Sequence, residues 1–177
     1  MNEPLVLDAI SFAALKHAGQ LRKDGATPYI AHPMRVLTIM ARLFDVKDPH
    51  ALAAAALHDT IEDTRTDREE LTERFGKVVA DYVARLSKDK RLPEEERERA
   101  YFETIASSPL EVKLCKLADT YDNLVDARTL ASEVHRKAIA KAHTLLDCLS
   151  ANFPTQWQHA IERLREQIEQ SEELGDP

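Results

Sequence analysis

With 177 residues, 31% of them charged and a formal net charge of -7, the chain has length for one domain with a full apolar core. It is too acidic for a protein whose main partner is a nucleic-acid polymer, because polyanion binding leans on widespread Lys and Arg. No leading run reads as a signal peptide and no stretch approaches the roughly 18 apolar residues of a membrane span, so a soluble, cytoplasmic protein with no membrane partner is expected.

The elements follow in chain order. An N-terminal helix is expected from 4 to 19, then a turn-rich link carrying Arg22, Lys23, Asp24 and Gly25. Pro33 suits a first helical turn, which places His32 at the entrance of a helix over 33–44 with Val36, Ile39, Met40 and Leu43 on one stripe. Asp48-Pro49 caps and opens the next helix, whose apolar run extends from Ala51 to Leu57. Thr66 with Glu69 makes a capping box for a helix from 67, and Ser108-Pro109 opens another near 109. Segments 94–107 and 132–151 read as two further helices. From Pro154 to about 172, Trp157, Ile161, Leu164 and Ile168 form one apolar face, and the acidic tail Glu172 to Asp176 is expected to fray. Val36–Ile39 and Val78–Val79 are strand-like in composition but lie within helical spacing. With only 4 glycines and no internal repeat, the chain reads as all-α, a single domain over 1–177. Cys115 and Cys148 sit far apart in helical segments, which favours reduced, small buried hydrophobes over a disulfide.

Chemistry concentrates where the alanine-rich run ends in His58-Asp59 and continues to Glu62-Asp63. Ionisable groups beside a core helix are costly unless paired or bound to a cation, and a divalent ion is the economical partner. His32, held at a helix entrance, and Asp119, which interrupts the apolar periodicity of Val112–Asp119, are further groups in want of one. Imidazole and carboxylate without thiolate suit manganese, iron or zinc. No GxxxxGK phosphate loop is present.

His32, His58-Asp59 and Asp119, in that order, resemble the ligand set of HD-domain phosphohydrolases. The strings Phe12-Ala13-Ala14, Lys16-His17, Arg22-Lys23-Asp24-Gly25, Thr27-Pro28-Tyr29-Ile30, Leu57-His58-Asp59-Thr60-Ile61-Glu62-Asp63-Thr64 and Lys116-Leu117-Ala118-Asp119 resemble the small alarmone hydrolases and the hydrolase half of RelA/SpoT enzymes. The resemblance implies a compact HD fold of about eight to ten helices. It implies a divalent metal, manganese by preference, on His32, His58, Asp59 and Asp119, with Glu62 and Asp63 orienting or deprotonating water. It implies a guanine nucleotide partner bound through Arg22, Lys23, Tyr29, Asn123 and Arg136, and leaves homo-oligomerisation open. The implied reaction is hydrolysis of the 3′-pyrophosphate of guanosine tetra- or pentaphosphate to GDP or GTP. The alternatives are hydrolysis of NADPH or another nucleotide, and a non-catalytic alarmone-binding module. Two departures bear on the substrate: Glu94 stands where the animal-type enzymes carry lysine, and Asp122 where an aromatic residue or histidine precedes the asparagine.

Overall fold

The computed structural model describes residues 3–149 and 153–175. Among them it contains nine α-helices and no strand, in the order α1 (Glu3–Lys16), α2 (Ala31–Thr38), α3 (Pro49–Leu57), α4 (Thr60–Asp63), α5 (Arg68–Leu86), α6 (Glu94–Ala106), α7 (Leu110–Ala127), α8 (Ser132–Leu149) and α9 (Gln158–Gly175). Among these residues no helix is long and apolar enough to cross a membrane.

Helix α3 is the axis of the packing. Every residue from Ala51 to Leu57 is buried, and α1, α2, α5 and α7 all pack against it. Methyl side chains let four neighbours approach one short helix closely, since interaxial distance follows side-chain size. Its two sides serve different halves of the core. Ala51, Leu52 and Ala55 join the cluster built with α7, α8 and α9, while Ala53, Ala54, Ala56 and Leu57 join Phe12, Leu71, Phe75 and Val83 from α1 and α5. Whatever follows Leu57 is thereby carried to the centre of the molecule.

Several local expectations shift. The stripe on α2 holds through Val36, Ile39 and Met40, but the helix continues as a π turn over Ile39–Leu43, closed by Phe44 N–H donating to Ile39 O at 3.0 Å. The extra residue per turn swings Leu43 outward and buries Phe44 in its place. Asp48 caps α3 as read, accepting from His50 N and Ala51 N. The cap of α5 is Asp67, whose carboxylate accepts from Glu70 N, not Thr66, whose hydroxyl accepts from Thr64. Gly76, at φ 83°, kinks α5 midway. Helix α7 starts with Pro109 at its cap position, while Ser108 turns back to donate to Thr104 O at 2.7 Å. The acidic tail is helical through Gly175, with Glu172 held by His143; Asp176 and the expected extension of α8 to 151 lie outside the described residues. Cys115 is buried and Cys148 exposed, so only the first is a core hydrophobe; its burial pushes the thiol pKa up to about 12.

Candidate functional site

The end of α3 builds the centre of the site. A helix C-terminus leaves carbonyls without partners, and here side chains take them: His58 Nδ1 donates to Ala55 O at 2.9 Å and Thr60 Oγ1 to Leu57 O at 2.6 Å. This fixes the His58 ring with its Nε2 inward. The chain does not continue as one helix: His58 and Asp59 form a break, and α4 restarts at Thr60. Helix α2 brings His32. Helix α7 brings Asp119, Asp122, Asn123 and Asp126, spaced by three, one and three residues and therefore on one face.

Three ligand atoms converge, and a fourth lies beside the two imidazoles. His32 Nε2 lies 3.2 Å from His58 Nε2, 3.2 Å from Asp119 Oδ1 and 3.5 Å from Asp59 Oδ2. His58 Nε2 lies 3.1 Å from Asp59 Oδ2 and 3.7 Å from Asp119 Oδ1. Atoms bound about 2.1 Å from one ion sit roughly 3.0 to 3.4 Å apart at octahedral or tetrahedral angles; His32, His58 and Asp59 are the set whose ligand atoms lie close enough together to hold one cation, with Asp119 Oδ1 beside both imidazoles. The protonation pattern agrees. Each ring already has an acceptor for Nδ1, Asp122 for His32 and Ala55 O for His58, so the neutral tautomers turn two Nε2 lone pairs toward two carboxylates. Acceptors facing one another in a largely enclosed space favour a positive charge between them, although Tyr29 and Asn123 already donate to the two carboxylates. Without one the imidazoles take up protons. Burial opposes this at both rings, but the carboxylates outweigh it: hydrogen bonds to Asp119 and Asp122 raise the pKa of His32, and the charge of Asp59 with Asp119 raises that of His58 well above the usual value. Asp119 stays ionised despite burial because Lys116 donates to its Oδ2 at 2.6 Å.

Glu62 and Asp63 reach the site through α4 and have unlike surroundings. Both Asp63 oxygens are engaged, Oδ1 by Lys90 Nζ at 2.8 Å and Oδ2 by the Tyr29 hydroxyl at 3.0 Å. Glu62 accepts at Oε2 from Lys88 N at 2.9 Å, while among the described residues Oε1 has Lys90 Nζ as its ion-pair partner, 4.0 Å away. Burial, with Asp59 and Asp63 nearby, raises the Glu62 pKa above the ordinary carboxylate range.

A cavity of about 390 Å³ opens beside the cluster, joined to it through Lys116 and Asn123, which both line it and both bond Asp119. Arg22, Lys23, Lys88, Lys116, Lys137 and Lys141 line it against Asp24, Glu94 and Asp126, so a chain of net charge -7 has gathered a basic surface at one place. Arg22 is held by its edge, Nε on Asp126 at 2.7 Å and Nη2 on Asn123 at 3.0 Å, with its carbon 5.3 Å from the Tyr29 ring centre.

Tyr29, Arg136 and Asp122 lie outside the lining of this cavity. Tyr29 does not line the cavity: its ring stacks on His17 and its hydroxyl donates to Asp59 at 2.7 Å and to Asp63. Arg136 is exposed and off the lining face of α8, which presents Val134, Lys137, Ala138 and Lys141 at helical spacing. Asp122 is buried against His32 and not turned to the cavity. Lys88, Lys137, Lys141 and Arg35 carried no local signal that separates them from solvated surface charges.

Residues 9–147 match the HD-domain family, and the chain belongs to it. Within that family it is similar to guanosine-3′,5′-bis(diphosphate) 3′-pyrophosphohydrolase MESH1 of Xenopus tropicalis, 43% identical over 130 residues that cover 73% of each chain. The Homo sapiens MESH1 is likewise 43% identical, over 129 residues and 72% of each. The guanosine-3′,5′-bis(diphosphate) 3′-pyrophosphohydrolase of Aquifex aeolicus is 39% identical over 136 residues, which are 75% of this chain and 19% of that longer one. A solved structure of a metazoan SpoT orthologue that hydrolyses ppGpp superposes with a TM-score of 0.80 at 32% identity, covering 92% of this chain and 94% of the other.

Proposed function

We propose that this chain is a manganese-dependent, cytoplasmic hydrolase that removes the 3′-pyrophosphate of guanosine tetra- or pentaphosphate, leaving GDP or GTP. The observation that carries the reading is the approach of His32, His58 and Asp59 to one another, with Asp119 against both imidazoles, beside a basic cavity that Lys116 and Asn123 join to them. A divalent ion held by these four supplies a Lewis acid that makes water more acidic and polarises a phosphoryl oxygen. The residues do the rest. Glu62 Oε1 takes a proton from the attacking water, whose oxygen joins phosphorus as the bond from phosphorus to the ribose 3′ oxygen breaks. That oxygen gains a proton from solvent as pyrophosphate leaves. Asp63, with both oxygens engaged, holds Tyr29 and Lys90 in place around Asp59 and Glu62. Arg22, fixed by its edge, offers a flat face for a purine, Lys23 stands beside it, and Asn123 suits a ribose hydroxyl.

In this reading the phosphates rest on Lys88, Lys137 and Lys141 in place of Arg136. Lys141→Ala is expected to raise KM about three- to tenfold, more at low salt than at high, while Arg136→Ala changes KM less than about twofold; steady-state kinetics at two ionic strengths check both.

Glu94 on the cavity lining keeps a second substrate in view, since a carboxylate there disfavours a phosphate at that point. The deciding test incubates the protein and manganese with guanosine tetraphosphate, NADPH and dNTPs. The proposal expects pyrophosphate and GDP from guanosine tetraphosphate, at a kcat/KM above that for NADPH. A preference for NADPH moves the substrate and leaves the metal chemistry standing, whereas no product from any of them indicates a binding module.

A further inference from the structure

Asp122 is the most enclosed carboxylate in the neighbourhood and does not face the cavity. Its Oδ2 accepts from His32 Nδ1 at 2.6 Å, and Arg35 grips it with two bonds, Nε to Oδ1 at 2.6 Å and Nη2 to Oδ2 at 3.0 Å. We propose that Asp122, itself held by Arg35, is a positioning residue that fixes the tautomer and ring plane of His32 for the ion. This rests on the reading of His32 as a metal ligand.

A histidine ring on a single χ2 axis can turn either nitrogen inward, and which one faces the metal is decided by what the other nitrogen bonds. His58 has a backbone carbonyl for that purpose. His32 is the second residue of α2, and the carboxylate of α7 serves its ring in that role. A bare carboxylate there would be free to swing toward the cation as a competing ligand. Arg35, one helical turn beyond His32 on the same helix, holds Asp122 by two parallel bonds and sets its plane.

The arrangement continues into the cavity. Arg35 Nη2 also donates to Asp126 Oδ1 at 2.6 Å, Asp126 Oδ2 accepts from Arg22, Arg22 bonds Asn123, and Asn123 Nδ2 donates to Asp119 Oδ1 at 2.6 Å. A circuit of charge-assisted bonds thus leaves one proposed ligand, His32, and returns to another, Asp119. Arg35 is the member that joins its metal side to its cavity side.

If Asp122 only stapled α2 to α7, its loss would lower thermal stability and leave the folded protein's metal affinity alone. The test titrates manganese into metal-stripped protein and records the histidine ¹⁵N spectrum of the same samples. Wild type should show His32 protonated on Nδ1 with a strongly downfield proton. Asp122→Asn should weaken manganese binding about ten- to a hundredfold and move that proton upfield. Arg35→Met, at a half-exposed position, should weaken it several-fold in the folded protein because Asp122 remains. Manganese affinity within twofold of wild type in folded Asp122→Asn, or a wild-type His32 carrying its proton on Nε2, overturns the proposal. A wild-type protein that takes up no manganese overturns the metal site itself and the proposal with it.

Discussion

His58→Ala and Asp119→Ala are each expected to empty the site of manganese and to reduce hydrolysis to background, with metal content read by elemental analysis beside the rate. Each removes one proposed donor from a site whose members act together, so the loss exceeds a simple share of the binding energy. Asp119→Ala also strands Lys116, whose ammonium then lies half-buried without its 2.6 Å partner. Normal manganese content in both variants would dismiss the four-ligand site. Removing the metal by chelation has its own signature. The folded state raises the pKa of His32 and His58, so proton uptake stabilises metal-free protein fully below the ordinary imidazole value of 6.5. That contribution is lost as pH rises through the raised folded values. Chelated protein should therefore lose Tm with rising pH across that window, and manganese should restore it.

Glu62→Gln is expected to keep the metal and lower kcat by about 10²- to 10⁴-fold, the range for removal of a general acid–base group. Asp63→Asn should cost less, since both oxygens of Asp63 are already spent on Tyr29 and Lys90 and only support is lost. The elevated Glu62 pKa adds a check through pH. Wild-type kcat should fall as pH drops through that raised value, because the protonated carboxyl cannot accept a proton, and the glutamine variant should lack this limb. Equal kcat losses in the two variants would remove the distinction drawn between them.

Periodicity and capping residues made most helices legible, because those signals are local: Asp48-Pro49 caps α3, and Ile161, Leu164 and Ile168 all face the core. The π turn after Thr38 left no such mark, as its extra residue is stabilised by where Phe44 packs and not by neighbours in sequence. The same division runs through the site. His58 beside Asp59 stands out in the sequence because charge at the end of an alanine run is costly. Lys88, Lys137 and Lys141 look like any exposed lysine until tertiary structure folds α6, α7 and α8 around one cavity. On α8, Arg136 and the cavity-lining Lys137 differ by one residue, about 100° of rotation, which suffices to separate a side chain on the cavity from one in solvent. Asp122 was conspicuous as a departure, yet its meaning depends on Arg35, 87 positions away.

The alanine helix α3 has one more consequence. It abuts four neighbours and has no exposed residue, so the wall that carries His58 and Asp59 has no slack to take up. The neighbouring cavity is lined by long side chains on Lys88, Lys137 and Lys141, next to the exposed start of α6 at Glu94. In the proposed reading, reaction geometry and ligand traffic then fall to different parts of the site: a rigid anvil behind the scissile bond, and a pliant fringe through which nucleotide arrives and products depart.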